Sequence, residues 1–209
     1  ITQPPIIADS VLKIYRKDHD IKFLEEIYPR LKKFYKYLLI ERDSRGNHLI
    51  GIINPDESGE DNSPRFDIPL KLPAMQTSKQ SLTQRLKLVE ENKACNFDAS
   101  KCMKNFFWVK DLPYNCFMVK NLLSLYEIAK ILKLEEDKII FGQQAELIKQ
   151  AMRTHMYEGG LYWSVFGLDY KKIKIKTWAI FAPLYAKIVS QEEAENLIDE
   201  HLLNKNEFF

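Results

Sequence analysis

A loop rich in carboxylates is the part of this sequence whose residue types are best suited to chemistry. Residues 54–67 read NPDESGEDNSPRFD, and the front half holds Asp56, Glu57, Glu60 and Asp61. Gly59 permits a sharp turn, and Pro55 and Pro64 restrict the backbone at the two ends. A carboxyl group fixed among other carboxylates can keep its proton at neutral pH and donate it to a leaving group. The competing interpretation is a solvated acidic turn, because charged residues are usually exposed.

The segments that must position this loop have the apolar spacing of helices. We predict a mainly helical protein, with helices within 4–17, 20–28, 29–42, 81–92, 112–134, 135–157, 176–189 and 190–203. Pro29 is expected to start a new helix after a kink. Ser190 and Glu193 have the spacing of a capping box. Longer and chemically richer loops alternate with these helices, and a short strand-like piece is expected near 160–166.

Composition limits the classes of partner. The chain has 209 residues with 31 Lys and Arg against 29 Asp and Glu, a net charge of +2. That charge is too small to indicate a nucleic-acid partner. No apolar run of about 18 residues indicates a transmembrane helix, so no membrane partner is expected. The length suits one domain, and we expect a single domain over residues 1–209.

The cysteines and histidines predict neither a metal site nor a cofactor. The spacing of Cys95, Cys102 and Cys116 fits neither a zinc site nor a disulfide framework. We therefore expect free thiols in a reducing compartment, which favours a cytoplasmic location. The histidines are scattered and form no ligand pair, so the sequence predicts no metal and no cofactor.

The segment ESGEDNSPRFD resembles the Glu-Ser-Gly-x-Asp-Asn-Ser-Pro signature of family 63 glycoside hydrolases and the related mannosylglycerate hydrolases; trehalases have a looser version. TQPPIIADSVLKIY before it and VKDLPYNCFMVKNLLSLYEIAKILKL after it resemble further segments of that family, in the same order. Weaker similarity continues through GGLYWSVF to the last helices. The resemblance thus spans nearly the whole chain.

The resemblance implies an all-α (α/α)6 toroid, of which this chain would form a central portion, and an inverting α-glycosidase. Asp61 would be the general acid. The residues implied or considered as substrate-binding are Gln3, Glu57, Asn62, Asp111, Asn115 and Trp163. For Asp111 a simple role at a helix start is an equal alternative. For Asn115 local helix packing is the favoured alternative, and for Trp163 core packing is at least as good an account.

Three positions depart from the family pattern. Asp56 and Phe66 stand where Trp is frequent, and Glu60 stands where Met is frequent. The resemblance implies that the base of the inverting mechanism is a Glu near the C-terminal end of the barrel, outside this chain. Glu158, in a Gly turn, and Glu192, in a capping region, are not credible bases. We therefore expect the 209 residues alone to be inactive or weakly active. The substrate would be an α-linked oligosaccharide or a glycosylated small molecule.

Two other functions remain open from the sequence. The chain could be a non-catalytic helical module that binds carbohydrate or protein through the same rim. It could also be a helical scaffold in which the acidic turn is only solvated. An Asp61 side chain that points to bulk solvent, far from Gln3, would favour the scaffold.

Overall fold

A long apolar helix lies at the centre of the protein in this computed structural model, which describes residues 2–73, 77–102 and 107–207. This helix, α5 (Leu112–Ile131), is buried on most of its surface. The helices α1 (Ile7–Asp18), α2 (Ile21–Glu41), α6 (Glu135–His155) and α7 (Ala182–Ala186) pack against it. The remaining α-helices are α3 (Ser78–Ala94), α4 (Ala99–Cys102) and α8 (Gln191–Leu197), the last of which continues into a π-helical turn, Ile198–Leu202.

Short strands complete the structure. Strands β1 (Val109–Lys110), β4 (Val165–Phe166) and β5 (Lys171–Lys172) form one antiparallel sheet, with Val109 opposite Phe166. Strands β2 (Tyr157–Glu158) and β3 (Leu161–Tyr162) form a second antiparallel pair. The mainly helical prediction is thus confirmed. Strands also form outside the predicted 160–166 region, at 109–110, 157–158 and 171–172.

Helices α5 and α6 form a hairpin that is fastened to α2. Only Leu132–Leu134 separate the two helices, and Lys133 has a left-handed backbone. The carboxylate of Asp137, in the first turn of α6, accepts a hydrogen bond from the Tyr28 hydroxyl at 2.7 Å and pairs with Lys32 Nζ at 2.6 Å. The hairpin therefore cannot slide along α2 without breaking a partly buried ion pair.

Two local predictions have opposite outcomes. The Ser190 and Glu193 capping box is present, with both reciprocal hydrogen bonds formed. The predicted break at Pro29 is wrong, because Pro29 lies inside one continuous helix, Ile21–Glu41. Burial of Leu24, Tyr28, Leu31 and Tyr35 on both sides of the proline holds the helix together across it.

The expectation of free thiols is wrong for two of the three cysteines. Cys95 directly follows α3 and Cys102 ends α4, and the turn between them brings their Cα atoms to 5.7 Å in a disulfide. The third cysteine, Cys116, is free and buried in α5. The cysteines therefore no longer support a reducing compartment, and a cytoplasmic location remains a prediction without that support. None of the helices in the described ranges combines the length and the hydropathy that a bilayer-spanning helix requires.

Candidate active site

The acidic loop is held in one shape by its own backbone. A 3-10 turn, Pro55–Ser58, begins at Asn54, whose side-chain oxygen accepts from the Asp56 amide at 2.9 Å. Gly59 ends the turn with φ 74°, a left-handed conformation that favours glycine. A Cβ at Gly59 would lie 3.5 Å from the Pro4 ring. The segment that contains Gln3 therefore crosses directly over the acidic loop.

Glu57 anchors the loop from inside. Its carboxylate is fully buried and forms two parallel hydrogen bonds with Arg42, at 2.8 and 2.7 Å. The same carboxylate accepts from the amides of Ile53 at 2.8 Å and Thr2 at 2.7 Å. Burial alone would lower the pKa of Arg42, but its bonds to Glu57 outweigh burial and raise it. Glu57 thus fixes the loop, and its oxygens are occupied by protein groups.

Asp61 reaches the surface of the loop. Its side chain is 40% exposed and forms an ion pair with Arg85 of helix α3. Asp56, with a similarly exposed side chain, pairs with the same guanidinium nitrogen at 2.9 Å. One arginine therefore bridges two carboxylates of the loop, and α3 supplies the positive charge.

A second arginine connects the loop to the start of α5. Arg65 is buried, and its guanidinium lies 2.6 Å from Glu60 Oε2 and 2.8 Å from Asp111 Oδ1. Burial lowers the pKa of Arg65, while the carboxylates of Asp111 and Glu60 raise it by a larger amount. Asp111 also accepts from the Ser164 hydroxyl at 3.0 Å and from the Tyr114 amide at 3.4 Å. Asp111 is therefore both a helix cap and one end of a buried charged network.

Gln3 lies near this network. Its side chain is exposed, and its backbone carbonyl accepts from the Tyr114 hydroxyl at 3.3 Å. The preceding residue, Thr2, contacts both Glu57 and Tyr114. The segments that contain Gln3, Asp61 and Asp111 thus meet in space, although they are far apart in the sequence.

The other predicted site residues divide between surface and interior. Asn62 is exposed next to Asp61. Asn115 is fully buried, and its amide group bonds both the N–H and the C=O of Ile50, at 2.8 and 3.0 Å. Trp163 is also buried and packs in an apolar cluster with Leu161, Ile180 and Leu197. Asn115 and Trp163 therefore contact protein atoms, as their structural alternatives expected.

Sequence reasoning missed several residues that shape the site. Arg42 and Arg85 each pair with a loop carboxylate from a separate helix or helix end, and no local pattern marks them. Trp178 was also missed, although its indole N–H donates to Glu60. Trp178 is exposed whereas Trp108 and Trp163 are buried, and nothing in the sequence indicates this difference. Among the described residues, no group of three or more potential ligands is placed to hold a metal ion.

A family model described as mannosylglycerate hydrolase MGH1-like glycoside hydrolase domain matches residues 1–209. A mannosylglycerate hydrolase of Thermus thermophilus is 28% identical in an alignment 227 positions long, which covers 96% of this chain and 54% of that protein. A mannosylglycerate hydrolase of Rubrobacter radiotolerans is 25% identical over 95% of this chain and 50% of its own length. The chain thus spans about half the length of the curated relatives it matches.

The backbone of this chain also matches about half of the backbone of solved mannosylglycerate hydrolase structures. A family 63 mannosylglycerate hydrolase from Thermus thermophilus, in complex with glucose, matches 97% of this chain and 51% of its own with a TM-score of 0.85 at 28% identity. The enzyme in complex with Tris and D-glycerate matches with a TM-score of 0.86 at 27% identity. The backbone described above is therefore similar to half of a glycoside hydrolase.

Proposed function

Because this chain belongs to the mannosylglycerate hydrolase MGH1-like glycoside hydrolase family, we propose that its protein is an inverting α-glycosidase with Asp61 as the general acid. The chain would form a central part of an (α/α)6 toroid. The substrate would be an α-linked glucoside, mannoside or glycosylglycerate. The base would be a Glu carried outside these residues.

The observation that supports Asp61 is its combination of exposure and rigid support. Glu57 and Asp111 are fully buried and their carboxylates contact protein groups, whereas the Asp61 side chain is 40% exposed. The loop that carries Asp61 is anchored from the protein interior by the Glu57 and Arg42 pair. A proton donor needs this arrangement, because it must meet one substrate oxygen and must not move away from it.

The reaction would use the two carboxylates in different ways. Protonated Asp61 would donate to the glycosidic oxygen as the bond to the anomeric carbon breaks. A carboxylate base, about 6.5–9.5 Å away, would remove a proton from water that attacks the opposite face of the sugar. Arg85 would have to release Asp61 before proton donation, because the ion pair requires the charged carboxylate. Asp56, which shares Arg85, would keep that arginine near the loop.

Some of the remaining predicted residues would contact the sugar, and the others would hold the loop and the start of α5 in place. Gln3 and Asn62 have exposed side chains beside the loop and would contact the sugar. Glu57, Asp111 and Asn115 would position the loop and the start of α5 from the interior. Trp163 would support the segment after β3 and would not stack on substrate, because its side chain is buried.

Activity of an Asp61→Asn variant in the whole protein that carries this chain tests the proposal. The amide keeps the size of the side chain but cannot donate the proton, so hydrolysis of an unactivated α-linked disaccharide should fall by about 10²–10⁴-fold. Proton NMR of the first product formed by the unmodified protein should show inverted anomeric configuration. Equal activity of the variant on the disaccharide would remove Asp61 from the mechanism. Absence of any hydrolysis by the unmodified protein would favour a non-catalytic carbohydrate-binding module.

A further inference from the structure

Arg85 is the group on which two exposed carboxylates of the acidic loop converge. One of its nitrogens, Nη1, donates to Asp56 Oδ1 at 2.9 Å and also to Asp61 Oδ2. The arginine side chain is 13% exposed, whereas those of Asp56 and Asp61 are 43% and 40% exposed. Its Nε is buried and has no hydrogen-bond partner among the described residues. A largely buried positive charge is therefore held at one nitrogen by two carboxylates.

The three side chains start from backbone that is fixed. Asp56 lies in the 3-10 turn Pro55–Ser58. Asp61 lies in the next turn, which a hydrogen bond from the Ser63 amide to the Glu60 carbonyl closes at 2.9 Å. The arginine belongs to α3, a helix of 17 residues. Because one nitrogen already contacts both carboxylates, a small rotation of the guanidinium is enough to leave one of them for the other.

This sharing lowers the cost of protonating Asp61. When Asp61 takes a proton, its ion pair with Arg85 is lost, and a largely buried guanidinium without a partner would be strongly unfavourable. Asp56 remains as that partner. Its negative charge also favours the neutral form of a carboxyl group nearby. Asp56 therefore helps Asp61 to take the proton that it must donate, whereas Arg85 opposes this step.

The other charged groups of the loop are engaged elsewhere. Glu60 is paired with Arg65 at 2.6 Å, and Arg65 is also bonded to Asp111. Glu57 is buried against Arg42. In the described part of the chain, the shared arginine is thus the one group that forms an ion pair with the proposed acid.

We propose that Asp56 is a positioning residue that acts through Arg85 and sets the pH range in which Asp61 holds its proton. The inference rests on the proposed function, because it concerns the regulation of the same acid. Asp61 takes its proton from solvent water while Asp56 retains the arginine, and the original sharing returns once the proton has passed to the glycosidic oxygen. Asp56 stands where Trp is frequent in the family, and in a relative with Trp there this second carboxylate is absent.

Carbon NMR measures the proton on Asp61 without any need for catalysis. The whole protein is labelled at the aspartate carboxyl carbon, and the Asp61 signal is identified by its loss in Asp61→Asn. In Arg85→Gln the midpoint of its titration should rise by about 1 pH unit, because the opposing positive charge is gone. In Asp56→Asn it should fall by about 1 pH unit, because a neutral Asp61 then leaves Arg85 without a partner. Asp56→Glu keeps the charge and should restore most of the unmodified midpoint.

A double variant separates the shared arginine from simple repulsion between carboxylates. In a protein that already carries Arg85→Gln, Asp56→Asn should move the Asp61 midpoint much less than it does alone, since exposed charges interact weakly through water. An equal fall with and without the arginine would overturn the proposal. Unchanged midpoints in both single variants would overturn it as well.

Kinetics connect the titration to the reaction. The alkaline limb of kcat/KM reports the essential acid of the free enzyme, so in each variant it should move in the same direction as the NMR midpoint. If the midpoints move as expected while the limb stays in place, or if no hydrolysis occurs, the control of the proton by Asp56 stands and the proposed role of Asp61 as the acid fails.

Discussion

At the scale of single residues, the carboxylates of the acidic loop differ in burial and therefore in role. Glu57 has no exposed surface and is bonded to Arg42 and to two backbone amides, whereas Asp56 and Asp61 are near half exposed. All three residues lie in one short acidic segment, so the sequence alone did not show which carboxylate is buried and which are exposed. Burial is set by the segment that contains Thr2 and Pro4, which covers one side of the loop.

Glu57→Gln should reduce stability strongly. The substitution leaves the Arg42 charge buried and uncompensated, and breaking a buried pair in this way costs about 3–5 kcal/mol. The free energy of unfolding in urea measures this loss. Glu90→Gln, which removes the partner of Lys93 from an exposed pair, is the matched control and should leave the midpoint unchanged. Similar midpoints for the two variants would contradict the anchoring role of Glu57.

Lys110 predicts a rise in stability with pH. Its ammonium group is buried, donates to the Leu49 carbonyl and lies 3.9 Å from Asp43, and burial lowers its pKa to about 8. An exposed lysine in the unfolded chain has a pKa near 10.4, so between pH 8 and 10 the unfolded state binds more protons than the folded state. Stability should therefore increase by roughly 2–3 kcal/mol across this range.

The comparison for Lys110 is Lys110→Met, which cannot titrate. Urea unfolding at pH 7.5, 8.5 and 9.5 should give a rising free energy for the unmodified protein and a flatter one for the variant. Parallel curves for the two proteins would show that Lys110 has an ordinary pKa in the folded state.

At the scale of elements, α3 and the turn that follows it support the acidic loop from behind. Asn92 of α3 donates to the carbonyl of Ile53 at 2.9 Å, and Arg85 of the same helix pairs with Asp56 and Asp61. Few α3 residues are buried, namely Ser81, Leu88 and Asn92. The helix therefore depends on its ends for stability, and the disulfide between Cys95 and Cys102 fixes one of them.

Replacing both disulfide cysteines by serine should lower the free energy of unfolding. The bridge joins positions 7 apart, and closing a loop of that size is worth about 2–3 kcal/mol. Addition of a thiol reductant should lower the unfolding midpoint of the unmodified protein to that of the double variant and leave the variant unchanged. A reductant that has no effect on the unmodified protein would show that the bridge contributes nothing to stability.

The helices show which features of the fold could be predicted from the sequence and which could not. Helical spacing located α1, α5, α6 and the Ser190 cap, because each depends on residues close together in the chain. The continuity of α2 across Pro29 was missed, because burial on both sides outweighs a local break. The pairing of Arg85 with Asp61 was missed too, since ion pairs between distant segments leave no periodic pattern. The signature loop was found by resemblance, and its partners were found only in the structure.

At the scale of the whole molecule, the chain corresponds to about half of its relatives. Several large apolar side chains are exposed on helices, among them Ile40 at 69% and Ile139 at 53%. Exposed apolar helix faces favour association. In the proposed toroid these faces would be covered by neighbouring helices.

The 209 residues produced alone should self-associate and hydrolyse glycosides poorly. They expose apolar helix faces, and the proposed base lies outside them. Sedimentation velocity over a range of concentrations measures the first property, and turnover of aryl α-glucosides and α-mannosides the second. Robust turnover that a Glu→Gln change within these residues abolishes would mean that the base lies in this chain.

Asp61 is proposed to give a proton to the leaving group, and a series of substrates with different leaving groups measures that proton transfer. Rates are measured on α-glycosides whose leaving groups range from a sugar through substituted phenols to fluoride, in the unmodified whole protein, in Asp61→Asn and in Asp56→Asn. Asp56 is the matched control because it is similarly exposed and pairs with the same arginine. The rate should depend only weakly on leaving-group pKa in the unmodified protein and in Asp56→Asn. In Asp61→Asn the dependence should be steep, with near-normal rates on fluoride and a loss of about 10²–10⁴-fold on the sugar. The same shallow dependence in all three proteins would contradict the claim.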